Sequence, residues 1–111
     1  MEKVFEEYRK LAGEIEKKCK EMLFDLYDRC GHQIVRVNDV KFHIDTTGKF
    51  GDSFTVLLQG KTFCSAHLEA VQRAIKEVLG KKYDLDFIVS YDERAEPIEE
   101  EKLKIKIWFI K

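Results

Sequence analysis

Between residues 2 and 30 the apolar positions Phe5, Tyr8, Ala12, Ile15, Cys19, Met22 and Leu26 recur at alternating intervals of three and four. That spacing lays them along one side of an α-helix. Val4, Leu11, Leu23 and Tyr27 widen the stripe beyond a simple coiled-coil seam. The pairs Glu6–Lys10, Glu14–Lys18, Glu16–Lys20 and Asp25–Arg29 place an acid four residues before a base, the favourable order on a helix surface. Gly13 falls inside this helix, at a cost of about 1 kcal/mol relative to alanine. Gly31 follows the stripe and suits the left-handed residue that ends a helix.

The period then changes to two. Val35 and Val37 share one parity, and Val40, Phe42 and Ile44 share the other. The switch falls at Asn38-Asp39, which predicts either a tight hairpin turn or a bulge within one strand. Residues 46–53, TTGKFGDS, read as a loop with two glycines. Phe54 to Gln59 is mostly apolar and reads as a central strand. From about Thr62 to Leu79 the residues Cys64, Leu68, Val71, Ile75 and Val78 return to helical spacing, and Gly80 ends that helix.

Leu85, Phe87, Val89 and Tyr91 alternate with polar residues, as do Leu103, Ile105, Ile107 and Phe109. A hairpin across residues 93–101 sets Tyr91 opposite Leu103 and Phe87 opposite Ile107 on one face. On the other face it sets Asp92 opposite Lys102, a pair of opposite charges. The predicted fold is α+β, one domain over residues 1–111, in the order α-β-β-α-β-β. Two helices lie on one face of an antiparallel sheet of four to five strands, a two-layer sandwich. With four strands this is a circular permutation of the ferredoxin-like βαββαβ arrangement.

The first helix poses a geometric problem. Residues 2–30 as one helix run about 43 Å, whereas an eight-residue strand spans roughly 26 Å. Its apolar stripe runs from Val4 to Tyr27 all the same. One resolution is a homodimer in which Val4, Phe5, Tyr8, Leu11 and Ile15 pack on a symmetry mate. The other is a break near Gly13, giving two shorter helices that pack at home.

Composition narrows the function classes. The chain carries 20 basic and 21 acidic residues in 111, a net charge of −1, so no long-range field draws it to nucleic acid or anionic lipid. Charged residues make up 37%, with a single proline; this composition points to a heat-tolerant protein. No stretch is apolar enough for a membrane span, and the charged opening MEKVFEEYRK is not a signal peptide. Cys19, Cys30 and Cys64 are odd in number and far apart, which favours reduced thiols in a cytoplasmic protein over a disulfide framework.

Two places could hold chemistry. Cys30 and His32 close the first helix, and Cys64 and His67 open the second: C-x-H followed by C-x-x-H, four donors of the kind zinc takes. Antiparallel helices could bring the end of one to the start of the next. The plainer expectation is no metal and no cofactor, with both cysteines buried as small apolar residues and both histidines on the surface. The second place is the turn Gly60-Lys61-Thr62 between a strand and a helix. It lacks the earlier glycine of a nucleotide-binding loop, since Thr55 stands there. It could hold a single phosphate or carboxylate on the free N–H groups of the helix start. The plainer expectation is an ordinary helix start capped by Thr62 or Ser65.

The succession of strand, Gly60-Lys61 turn, amphipathic helix and hairpin over residues 54–110 resembles the layout of Alba-type chromatin proteins. It also resembles that of the C-terminal domain of bacterial translation initiation factor three. The likeness is one of layout; the first half fits neither family, and none of their binding residues is carried over. Residues 61–83 hold five basic and two acidic groups, so Lys61, Arg73, Lys76, Lys81 and Lys82 could form a modest basic patch. The stripe Lys102, Lys104 and Lys106 is offset by Asp92 and by Glu99, Glu100 and Glu101, the pattern of a solvated sheet face. Trp108 and Ile110 share that face, and their apolar surface calls for a cover. Phe50, between two glycines, is a candidate loop anchor, and His43 and Asp45 have no nucleophile tied to them.

The sequence therefore favours a non-enzymatic interaction module, homo-oligomeric through its first helix, with Val4, Phe5, Tyr8, Leu11, Ile15 and Trp108 as contact residues. The alternative is a small nucleic-acid or anion-binding domain using Lys61, Thr62, Arg73, Lys81 and Lys82.

Overall fold

The three-and-four spacing of the first segment produces one unbroken helix, α1 (Glu2–Cys30). It is followed by β1 (Val35–His43), β2 (Ser53–Gly60), α2 (Ser65–Leu79), β3 (Asp84–Tyr91) and β4 (Glu101–Ile110). This computed structural model describes the backbone of residues 2–80, 84–91 and 101–110. No helix among the described residues is long and apolar enough to cross a membrane.

The four strands form one antiparallel sheet in the order β1-β2-β4-β3. Moving β4 to the front of the chain would give strand-helix-strand-strand-helix-strand, so the arrangement is a permuted ferredoxin-like topology. The question posed at Asn38-Asp39 resolves as a bulge. Val37 pairs with Leu58 and Asp39 with Leu57, so Asn38 is the extra residue. The insertion flips the parity of β1, which is why Val35 and Val37 before it, and Val40 and Phe42 after it, all meet the core. It also keeps the sheet at four strands.

The C-terminal pairing agrees with the sequence: Tyr91 lies opposite Leu103 and Phe87 opposite Ile107. Asp92, expected opposite Lys102, and residues 93–100 of the turn fall outside the described residues, while Glu101 and Lys102 belong to β4. Across the sheet the inward residues align in rows, Phe42–Phe54–Ile107–Phe87 and Val40–Val56–Ile105–Val89. Alternating burial along β2 and β4 puts the helices on this face.

α1 does not break at Gly13. That glycine is exposed and a methyl group there would meet nothing within 4 Å. Tyr8, Leu11, Ala12, Ile15, Cys19 and Leu23 form the buried side of the helix. Two of the expected i,i+4 pairs are made, Glu16–Lys20 at 3.0 Å and Asp25–Arg29 at 2.7 Å. Lys18 turns instead to Glu77 on α2, at 3.0 Å. The hydrogen bond and charge of Glu77 hold the Lys18 ammonium above its ordinary pKa, and the pair ties the two helices together. Burial alone pushes the Cys19 thiol up to about 12.

α2 starts later than its apolar pattern suggested. Neither Thr62 nor Ser65 is the cap; Cys64 is, in extended conformation, with its N–H donated to Nδ1 of His67 at 3.1 Å. The reciprocal bond runs from the His67 N–H to the Cys64 carbonyl at 3.1 Å. A histidine three residues into the helix thus takes the position usually held by Glu or Gln.

Candidate functional site

The helix is as long as the molecule, whose longest extent is 41 Å, and its two ends have different neighbours. Near its start, Phe5 packs edge-on against Phe42, with ring centres 5.2 Å apart. Tyr8 sits among Phe42, Phe54 and Phe109, with centres 5.6–5.9 Å away. Its hydroxyl donates to the carboxylate of Asp52. Tyr8, Leu11 and Ile15, expected to contact a partner, therefore lie in the chain's own core; Val4 and Phe5 remain partly exposed at its margin.

Asp52 belongs to a loop that is tied down. Its other oxygen accepts the Asp45 N–H at 2.9 Å. The Asp45 carboxylate accepts the Thr47 hydroxyl at 2.6 Å and the N–H groups of Thr47, Phe50 and Gly51 at 2.6–3.0 Å. Led by the Thr47 hydroxyl, these donors hold its pKa well below the usual carboxylate range. Gly48 and Gly51 supply the positive φ values the turn requires, +69° and +85°. Phe50 points outward, 75% exposed. Asp45 is engaged in loop structure, and nothing joins it to the exposed His43 as a catalytic pair.

At the other end of α1, Phe24 is 65% exposed and Tyr27 is also exposed. Ile34, on the connection into β1, is 52% exposed. With Leu23, Val35, Val37 and the stems of Lys20 and Arg36 they line an open groove of about 480 Å³ between α1 and β1. β1 is the edge of the sheet, with no strand beyond it among the described residues. The apolar surface that needs an explanation is here, at Phe24 and Tyr27, further along α1 than the Val4 to Ile15 stretch the sequence suggested.

The same end gathers the histidine and cysteine residues. The α1 end turns through Gly31 at φ +68°, with the Gly31 N–H on the Tyr27 carbonyl and the His32 N–H on that of Leu26. Gly60 lets the connection approach β2 closely. A β-carbon there would lie 3.0 Å from the Ile34 carbonyl oxygen and 3.1 Å from the Val35 side chain. That contact brings His32 and Gln33 beside the start of α2. Nδ1 of His32 lies 3.5 Å from Cys64 Sγ, and Nδ1 of His67 lies 3.4 Å from the same sulfur. Nε2 of His67 is 3.0 Å from the Gln33 carbonyl oxygen. His67 is 2% exposed, and its ring meets those of His32 and Phe63 edge-on.

The expected burial of these residues is not met: Cys64 and Cys30 are exposed, His67 is buried and His32 is half-buried. Three of the four C-x-H and C-x-x-H residues come together; Cys30 is not in the cluster. Pattern reading named these residues, but the carbonyl of Gln33 and the close approach at Gly60 carried no sequence signal.

Among the described residues, Lys61 and Arg73 open on different clefts. Lys61 shares a small pocket with Tyr27, His32 and Arg36, whereas Arg73 borders another cleft with Glu21 and Asp25. Thr62 is exposed, and Lys81 and Lys82 lie outside the described residues. On the outer sheet face the Lys106 ammonium lies 4.1 Å from the centre of the Trp108 ring. The cover expected for Trp108 is in part this cation.

No family model matches the sequence, and neither does any curated protein. A solved structure from work on heme distortion in the H-NOX family aligns with a TM-score of 0.45 and 15% identity, over 91% of this chain and 48% of that one. The chain spans about half the length of that structure.

Proposed function

We propose that the chain is a non-enzymatic interaction module that self-associates through the C-terminal half of α1 and the neighbouring edge strand. The observation that carries this reading is the open apolar groove with Phe24, Tyr27 and Ile34 at its rim. Contiguous apolar surface of this kind marks interaction sites, and aromatic residues are the usual anchors of an interface centre. A second copy is the favoured occupant for three reasons. A two-fold axis lets one apolar patch serve both sides. A net charge of −1 sets up little repulsion between copies. The outer backbone edge of β1 offers hydrogen-bonding groups to another strand. Three unpaired cysteines suit a reducing, cytoplasmic setting.

The alternative, nucleic-acid or anion binding through Lys61 and Arg73, has less support because the two residues open on different clefts and Arg73 is flanked by acids. Self-association stabilises the folded state by mass action. The midpoint of thermal unfolding is therefore expected to rise with protein concentration, and Phe24→Glu to remove that rise. A midpoint independent of concentration, together with salt-sensitive retention on heparin, would reverse the order of the two readings.

A further inference from the structure

We propose that His32, Cys64 and His67 form a binding site for a zinc ion, with the fourth coordination position taken by water or an external ligand. The three ligand atoms all lie within 4.8 Å of one another. A tetrahedral zinc ion, with Zn–S near 2.3 Å and Zn–N near 2.0 Å, holds its sulfur and nitrogen ligands roughly 3.5 Å apart. Both nitrogen-to-sulfur distances, 3.5 Å and 3.4 Å, already meet that value. The two nitrogens need only draw closer to each other. His32, half-buried on the connection after α1, is less enclosed than His67, so the adjustment falls to its ring.

His67 is prepared for the role. A carbonyl can only accept, so Nε2 must carry the proton that bonds to the Gln33 oxygen. Nδ1 then keeps its lone pair, directed at Cys64. A backbone carbonyl holding the far nitrogen of a ligating histidine is the usual supporting contact of zinc sites. On binding, Nδ1 exchanges the Cys64 N–H for the metal, and the Cys64 thiol gives its proton to solvent as the Zn–S bond forms.

Helix capping accounts for Cys64 and His67 alone. It does not account for His32, which comes from a segment 32 residues earlier and aims at the same sulfur. One thiolate and two imidazoles select zinc over magnesium or calcium, which prefer oxygen donors. This inference stands apart from self-association, since it concerns different atoms and is read by a different signal.

The test is titration of the full chain, stripped by a chelator, with Zn²⁺ against a chromophoric competitor and with Co²⁺ for its spectrum. One equivalent of either ion is expected, and the Co²⁺ form should show a thiolate charge-transfer band and tetrahedral d–d bands. Cys64→Ser should abolish the charge-transfer band. His32→Ala, at a half-exposed position, should keep its circular dichroism and weaken Zn²⁺ binding by more than roughly 100-fold, beyond the usual loss for a supporting residue. Zn²⁺ should also shield Cys64 from alkylation while Cys30 still reacts. Failure to retain Zn²⁺ at micromolar concentration would overturn the proposal. So would undiminished binding by folded Cys64→Ser, or a charge-transfer band that depends on Cys30.

Discussion

In the first half of α1 the three-and-four stripe meets a finished core: Tyr8 among three phenylalanine rings, its hydroxyl on Asp52, and Ile15 wholly enclosed. In the second half Cys19 and Leu23 of the stripe are again buried and Met22 packs on the core, but Tyr27 at the margin of the stripe and Phe24 outside it are left at an open groove beside the edge strand. The two halves share one spacing and differ in what lies across from them. The periodic stripe therefore marks the side of the helix that the chain covers itself, and the apolar surface left open lies beside it, at Phe24 and Tyr27.

The largest effect that would break this comparison is expected at Ile15, which is 0% exposed. Ile15→Ala should lower the unfolding free energy by about 3 kcal/mol, whereas Phe24→Ala at high dilution should change it by less than about 0.5 kcal/mol. Urea denaturation compares the two, and equal losses would erase the distinction between the halves. Tyr8→Phe keeps the ring cluster and removes the bond to Asp52, with an expected loss of about 1.5 kcal/mol. Gly13→Ala should act in the opposite direction, adding about 0.8 kcal/mol in the same measurement, because the site is helical and unobstructed. A loss there would point to a bend in α1.

A smaller effect belongs to pH. The carboxyl of Asp45 has a depressed pKa in the folded loop. Its contribution is thus fully present above the unfolded value near 4 and is lost as pH falls through the lower folded value. Thermal scans from neutral to acid pH should show a shallower decline for Asp45→Asn, which lacks this contribution throughout. Parallel curves would mean that the loop bonds do not stabilise the fold.

Much of the architecture was legible because it rests on periodicity. The continuous stripe delivered α1, and the matched alternation of two segments delivered the β3–β4 register down to Phe87 opposite Ile107. The parity switch at Asn38-Asp39 located the bulge but could not be told from a turn, because both reverse which side chains face inward. The site was only half legible. Residue type and position named His32, Cys64 and His67, but their convergence depends on tertiary contacts. It needs the bare α-carbon of Gly60 under Ile34, and a helix N-cap at Cys64 with His67 bonded back to it, where Thr62 or Ser65 was expected as the cap. The location of the free apolar surface was missed for a related reason. Sequence cannot show that Phe42, Phe54 and Phe109 converge on Tyr8 and leave Phe24 without such a cluster.

Sedimentation equilibrium of the wild-type chain beside Phe24→Glu/Ile34→Glu tests the central claim most directly. The predicted result is a wild-type mass that climbs from 13.1 kDa towards twice that value with concentration, while the double variant stays at the monomer mass with an unchanged circular dichroism spectrum. A wild-type chain that remains monomeric at the highest concentration, or a double variant that associates equally well, would contradict it.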